Sequence, residues 1–356
     1  MSDGRRNDPP SPITDVREIS HIAYGFMGSK ALFAALNLDL FGHLAGSKKT
    51  FETLVDQTKI ASNRLRTILV ALTAVGLIVR EGDEYRNAPA SERYLVRGAP
   101  AYFGDYYRFQ IDRQIYPALL HLDSGIAGDT SHLAFDSLGG LTDDPVEADA
   151  FTRAQHAGSM GPALMLAKTF DLGDAKVLLD VGGGSGAFSI ALCQRHPDLR
   201  ATVLDFPNVI AIAERFVKEA KLQDRIIYIR GDAISAPWPD GQDVVLMSYL
   251  LSAVAEASIP LLLRKAWDAL RPGGLLLIHD FMLDDDESGP ALAALWFLQY
   301  LSGRIDGISF SAATLTARLV DQGFDSMSDQ VVIPEITKHV ACIKPPDRSD
   351  SLGLGG

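Results

Sequence analysis

At 356 residues, with 47% apolar side chains, the chain has the length of about two average domains and enough hydrophobic material for a core in each, which excludes disorder, collagen and coiled coil. Its 33 basic and 45 acidic residues leave a net charge of −12, so a broad basic face for nucleic acid is disfavoured and any anionic substrate has to be met by locally placed cations. Two cysteines, Cys193 and Cys342, stand far apart without metal-ligand spacing; a disulfide framework is excluded and a reducing cytoplasm fits.

The opening MSDGRRNDPPSP is polar and Pro-rich with no apolar segment behind it, so residues 1–18 read as a loose tail rather than a secretory signal. No apolar run reaches the ~18–20 residues that span a bilayer. Residues 19–142 carry helical periodicity, with Phe26, Leu32, Ala35, Leu36 and Leu40 recurring largely at three- and four-residue steps. Within them TFETLVDQT from Thr50, SNRLRTILVALTAVGL from Ser62 and then VREGDEYRNA predict helix, helix and β-ribbon, a winged-helix pattern. A DNA-reading version needs a basic recognition helix; this one offers only Arg64 and Arg66, so packing against another element explains it better. A helical connector follows over residues 143–171, its core Pro145 to Lys168.

From Leu172 to residue 345 the pattern alternates. Apolar runs AKVLLDV, RATVLDF, RIIYIRG, DVVLMSYL, GGLLLIHDF and HVACIKP predict strands, with amphipathic helices between the first five. That is a doubly wound, largely parallel α/β sheet. Residues 346–356, PDRSDSLGLGG, read as a second tail. The first predicted strand runs into Gly182-Gly183-Gly184-Ser185-Gly186 and then a helix. Glycines there let the backbone turn sharply and approach a ligand that faces the helix N-terminus. A lone loop of this kind also fits a tight turn without ligand. Asp205, about 20 residues on at the next strand end, raises the odds, because an acid there holds a ribose diol. Asp232 ends the third strand, where a carboxylate can accept from an adenine amino group, and RPGG at Arg271–Gly274 turns into the fifth.

These four features together resemble the class I S-adenosylmethionine-dependent methyltransferases, with their Rossmann-like doubly wound sheet. With its winged-helix amino-terminal half, the chain resembles over nearly its full length the plant-type O-methyltransferase family, which includes acetylserotonin and bacterial antibiotic methyltransferases. The resemblance implies S-adenosylmethionine as cofactor and S-adenosylhomocysteine as product. It also implies a homodimer formed through the amino-terminal domain, and a small-molecule substrate with no nucleic-acid or membrane partner. Carried over by position, the methionine moiety falls to Gly182 and Gly184, the ribose to Asp205 with Phe206 beside the adenine, and the adenine edge to Asp232 and Ala233. Ser248 takes a cofactor-contacting position. Asp180 is either near the ligand or a structural acid closing the first strand. The family often has a bulky apolar residue where Ala233 stands.

The same resemblance exposes a gap. After the fourth strand the family carries a His-Asp-Trp segment whose His removes the substrate's hydroxyl proton; here the matching residues are Ser252-Ala253-Val254. Asp280 can stand for one of the two acids that flank the family's His, while the other is lost in GRIDGISFS. A hydroxyl ordinarily needs a positioned base, worth ~10²–10⁴-fold. Three explanations stay open: a relocated base, with His156 and His279 as candidates; a lost activity; or a nucleophile with no proton to lose. A thioether sulfur is such a nucleophile, and in-line placement could supply most of its acceleration. The chain also resembles the marine bacterial methylthiohydroxybutyrate S-methyltransferases of dimethylsulfoniopropionate synthesis, which makes S-methylation of a thioether acid the preferred expectation. O- or C-methylation of an aromatic or polyketide-like acceptor with a displaced base is the alternative. A ligand-sensing winged-helix regulator and a catalytically silent interaction protein are the readings outside enzymes.

A carboxylate acceptor would need cations, and GDYYRFQIDRQIYPALLH offers Arg108 and Arg113 with Tyr106, Tyr107, Gln110 and Tyr116 close by; an arginine can grip a carboxylate through two parallel hydrogen bonds. A solvated helix face explains them equally. Trp296, Gln299 and Tyr300 fall where family members line the acceptor pocket. His156 and Met160, with Phe151 and Ser159, could reach the same cavity from the connector.

Overall fold

The computed structural model describes residues 11–129, 143–302 and 309–346, in two compact units divided after Pro117. Both predicted tails therefore lie largely outside the described residues. Helix α1 (Val16–Asn37) starts inside the expected amino-terminal tail, because Asp15 and Glu18 form a reciprocal capping box at its first turn. The N-terminal part of α1 leaves Val16, Ile19, Ile22, Phe26 and Met27 exposed, whereas Phe33, Ala35 and Leu36 near its C-terminus are buried.

In this first unit α2 (Leu40–His43), α3 (Phe51–Thr58) and α4 (Ser62–Ala74) precede a ribbon of β2 (Ile78–Glu81) and β3 (Glu84–Asn87), with β1 (Lys49–Thr50) pairing on the far side of β3. Leu65, Leu69 and Leu72 put one face of α4 into a core with Leu36, Leu40, Phe41, Leu54 and Tyr85. Arg66 lies over the Phe51 ring at 4.2 Å, so one of the helix's two basic residues is used within the unit. Tyr106–Ile115 forms a π-helix, a wider turn with i to i+5 bonding.

The second unit is built on seven strands in the order β6-β5-β4-β7-β8-β10-β9. These are β4 (Val177–Val181), β5 (Arg200–Asp205), β6 (Ile226–Arg230), β7 (Gln242–Ser248), β8 (Leu270–Phe281), β9 (Asp325–Ile333) and β10 (Thr337–Ile343). The first five are parallel; β10 runs antiparallel to β8 and β9 antiparallel to β10. Core strands are near-continuous Val, Leu and Ile, as burial on both faces demands. Strand β9 went unpredicted because it is a polar edge, DSMSDQVVI, with most of its side chains in solvent. RPGG belongs to the start of β8 rather than to a turn ahead of it.

Helices cover both faces. The connector helix (Pro145–Thr169), Ala187–Arg195 and Pro207–Glu219 pack on one, and Ile259–Ala269, Ala291–Leu301 and Ala312–Gln322 on the other. The chain order reverses beside β4, so the carboxyl ends of β4, β5, β7 and β8 open on a crevice at the switch point, where such sheets bind ligands.

Candidate active site

The loop after β4 is shaped by its glycines. Gly182, Gly184 and Gly186 all have positive φ, at 66°, 56° and 76°. A Cβ on Gly182 would also sit 2.8 Å from Leu250, whereas one on Gly184 would meet nothing within 4 Å. The Gly184 side is therefore open to a ligand, and helix Ala187–Arg195 starts immediately behind it. Asp180 is fully buried under this loop. One of its oxygens accepts from the Ser189 hydroxyl at 2.7 Å while Oδ1 has no partner, and burial pushes the carboxyl up to about 6. A Cβ on Gly183 would lie 2.7 to 3.0 Å from that carboxyl, which explains the fourth glycine.

Asp205, at the end of β5, faces the loop: Oδ2 accepts from the Gly184 amide and Oδ1 from the Phe206 amide, each at 2.7 Å. Burial pushes its carboxyl up to about 6 against the pull of those two amides. Past β6, Asp232 accepts from the Ile234 amide at 2.9 Å, a turn that fixes its carboxylate. Behind it the Ala233 carbonyl receives Trp238 Nε1 at 2.9 Å and Lys265 Nζ at 2.8 Å; Lys265 also reaches the carbonyls of Ile234 and Ala236. Sequence reasoning missed Lys265, Trp238 and Ser189, since none stands in the motif it supports.

Ser248 is occupied differently. Its hydroxyl lies 2.9 Å from His279 Nδ1, and His279 Nε2 lies 2.9 Å from the Thr337 hydroxyl, so both nitrogens of this fully buried ring are engaged. Burial pushes His279 down to about 3. His156, the other candidate base, stacks on Phe216 at 3.7 Å with 7° between the planes and places Nδ1 2.9 Å from the Ser185 hydroxyl. Burial pushes it down to about 4. Burial keeps each imidazole neutral, with one hydroxyl partner on His156 and two on His279.

On the other side of the crevice, Asp280 at the end of β8 is fully buried and accepts from the Ser252 amide at 3.0 Å and the Phe281 amide at 2.9 Å. The Ser252 side chain interacts with both the Asp280 carboxyl and the Tyr300 hydroxyl and lowers both against the effect of burial. Burial pushes Asp280 up to about 6 and raises Tyr300 as well. Trp296 stacks on Phe281 at 4.3 Å and 13°, and Gln299 donates to the Trp296 carbonyl at 3.0 Å. The structure thus brings together Ser252, Asp280, Tyr300, Phe281, Trp296 and Gln299. Met160 is half-buried on the connector helix. Part of GRIDGISFS lies outside the described residues.

The remaining candidates belong to the first unit and form a cluster of their own. Arg108 gives Nη1 to Asp105 and Nε to Asn37, both at 3.1 Å, and lies 4.9 Å from the Phe109 ring. Tyr106 and Tyr107 pack on Phe103, Gln110 is buried, and Arg113 lies 5.8 Å from the Phe109 ring. Among the described residues no group of His, Cys, Asp and Glu has metal-binding geometry, and no helix is long and apolar enough to cross a membrane.

Two family models match the chain: an O-methyltransferase dimerisation domain over residues 20–97 and an O-methyltransferase domain over residues 134–325. The tetracenomycin polyketide synthesis 8-O-methyl transferase TcmO of Streptomyces glaucescens is 32% identical over 90% of this chain and 96% of its own length. The 3-hydroxy-5-methyl-1-naphthoate 3-O-methyltransferase of Streptomyces sahachiroi is 32% identical over 91% and 93%. The L-tyrosine C(3)-methyltransferase of Streptomyces lavendulae is 28% identical over 91% of both. Human N-acetylserotonin methyltransferase in complex with SAM superposes with a TM-score of 0.82 over 95% of this chain and 100% of the other, at 23% identity. PigF with SAH does so with a TM-score of 0.81 over 93% and 100%, also at 23%. The open side of Gly184, the acid of Asp205 facing it and the unpartnered Asp180 oxygen fit a nucleoside cofactor at this loop. With an O-methyltransferase dimerisation domain followed along the chain by a Rossmann-like sheet, the chain belongs to the O-methyltransferase family and uses S-adenosylmethionine.

Proposed function

We propose that the protein methylates a hydroxyl on a small aromatic, polyketide-like acceptor, with Ser252 and Asp280 taking the proton in place of the missing imidazole. The observation that carries this reading is the buried Asp280 carboxyl hydrogen-bonded to Ser252 beneath an aromatic wall of Phe281 and Trp296. An acceptor hydroxyl would pass its proton to Ser252 Oγ as the serine proton moves to Asp280, whose value near 6 leaves it ionised and able to accept at neutral pH. Bound S-adenosylmethionine supplies an electrophilic methyl group on a positively charged sulfur. The chain contributes placement, through Asp180, Gly182, Gly184, Asp205, Phe206, Asp232 and Ala233 on the cofactor side and Trp296, Gln299 and Tyr300 on the acceptor side. The relatives named for a polyketide and a naphthoate hydroxyl support the same acceptor class. A ring carbon beside a phenol would be activated by the same proton removal, in keeping with the tyrosine C-methylating relative.

A second reading, methylation of a thioether acid such as 4-methylthio-2-hydroxybutyrate, is favoured by Ser252 itself, since sulfur needs no base. It asks more of Arg108, which already carries Asp105 and Asn37 and would have to exchange one for the substrate carboxylate. The two readings separate cleanly. Methyl-labelled S-adenosylmethionine is incubated with phenol, thioether and amine acceptors, and each active acceptor is repeated with Ser252→Ala. A methylated phenol whose rate collapses in the variant supports the first reading. A methylated thioether whose rate survives supports the second, and no turnover with any acceptor overturns both.

The exposed apolar residues Ile22, Phe26 and Met27 on α1, within the segment matched by the dimerisation model, support a homodimer. Ile22→Glu should give a monomer by light scattering. The buried free thiols Cys193 and Cys342 suit a cytoplasmic setting.

A further inference from the structure

The connector helix is hydrogen-bonded to the cofactor loop through His156, and that contact has a mechanical consequence. Asp149 and His156 lie seven residues apart on this helix and so share a face. They meet consecutive residues of helix Pro207–Glu219: Asp149 accepts from Arg215 Nη1 at 3.0 Å, and the His156 ring lies flat on Phe216. The stack leaves His156 Nδ1 directed at Ser185 Oγ, 2.9 Å away, inside the glycine loop; Ser185 is 3% exposed. Besides the backbone bond from the Gly182 amide to the Leu204 carbonyl at 2.8 Å, the loop therefore has two side-chain tethers, Asp205 on the Gly184 amide and His156 on the Ser185 hydroxyl.

The tethers differ in what a bound nucleoside does to them. Asp205 is the acid placed to accept from a ribose diol, and sharing its oxygens with ribose hydroxyls weakens its hold on Gly184. His156 sits behind the loop and has no such competitor.

We infer that His156 is a positioning residue which, through Ser185, holds the Gly182–Gly186 loop in its cofactor-accepting shape when Asp205 turns to the ribose. This rests on the assignment of S-adenosylmethionine to that loop. Three glycines with positive φ make the loop a segment with many accessible conformations in the absence of a tether, so ordering it at the moment of binding would cost affinity. Burial keeps the imidazole neutral across the physiological range, so the tether is not released by ordinary pH changes. His156 is then neither a base nor an acceptor contact, and its effect appears in cofactor affinity.

The test is a double-mutant cycle read by calorimetric titration of S-adenosylhomocysteine into the full-length protein, with wild-type binding established first. Failure of the wild type to bind would overturn the cofactor assignment itself. His156→Phe keeps the stack on Phe216 and removes the hydrogen bond; Ser185→Ala removes it from the other side. Each should raise Kd about 5–10-fold, the scale of one hydrogen bond. The double variant should be no worse than either single one. At saturating cofactor kcat should fall less than about threefold, and His156→Asn, whose amide takes the place of Nδ1, should recover part of the affinity. Should His156→Phe fail to fold, Ser185→Ala with His156→Asn carries the test. Kd values within twofold of wild type, or single effects that simply add, would overturn the proposal.

Discussion

At the cofactor end of the crevice, binding geometry is made by backbone: three glycines at positive φ, a helix N-terminus and one carboxylate a strand away, all within 24 residues of chain between Gly182 and Asp205. At the acceptor end it is made by side chains from three separate elements, Ser252 after β7, Asp280 at the end of β8 and Tyr300 on helix Ala291–Leu301. The first arrangement demands glycine and an acid at set positions and tolerates little else. Under the proposed mechanism the second demands only that some proton-accepting group occupy a buried volume, so that a serine could stand at the imidazole position with the carboxylate retained. The difference teaches that cofactor chemistry here is constrained by the loop, and acceptor chemistry by whatever packs over Asp280.

The most severe attack on that contrast is at the acceptor end. Asp280→Asn keeps shape and removes the proton acceptor; with a phenolic acceptor kcat should drop by ~10²–10⁴-fold while cofactor affinity stays near wild type. In wild type kcat should fall tenfold per unit as pH drops below about 6, because the carboxyl must be ionised to accept. An undiminished phenol rate in Asp280→Asn would show that the proton leaves by another path.

At the cofactor end, Asp205→Ala should weaken cofactor binding by ~1.5–3 kcal/mol, about 10–150-fold in Kd, with the acceptor KM little changed. The sign with pH follows from its raised carboxyl: the ionised form binds the ribose, so wild-type affinity should weaken as pH falls through about 6, and the Asp205→Asn variant should lose that dependence. Calorimetry from pH 5 to 8 checks both. A flat wild-type profile would remove Asp205 from the ribose.

The smallest effect concerns a residue behind both ends. His339 on β10 is buried edge-on to Phe170 at 5.0 Å, with no hydrogen-bond partner on either nitrogen. Burial pushes it down to about 4, below its unfolded value, so its contribution to stability is lost as pH falls from about 6.5 toward 4, where the unfolded chain binds the extra proton. His339→Leu fills similar volume without the orphaned nitrogens and should raise stability by ~1 kcal/mol at pH 7 and by more at pH 5. Thermal melts at the two pH values decide it; a lower melting temperature would mean the ring has a partner after all.

Much of the cofactor end was legible because its signals are local. Gly182, Gly184 and Gly186 are needed whatever surrounds them, and Asp205 and Asp232 follow apolar strands that any reading of the chain finds. The sheet was legible except at its edge, where β9 is polar enough to pass for loop. The acceptor end resisted. Arg108 reads in sequence equally as a carboxylate clamp or a solvated helix face, and only the fold shows that Asn37, far away in sequence, takes one of its donors. Two histidines are candidate bases in sequence, but Ser185 holds His156 Nδ1, and Ser248 and Thr337 hold both nitrogens of His279.

The amino-acid sequence by itself determined the α/β class, the cofactor loop and the absence of the family's histidine, because hydrophobic periodicity, positive-φ glycines and a residue's identity are properties of short stretches of chain. Tertiary structure decided which polar groups are already satisfied, and hence which remain for chemistry. Burial and partnership arise between elements distant in sequence, and they set whether Asp280 is a proton acceptor, whether His279 is inert and whether His156 serves the loop rather than the substrate.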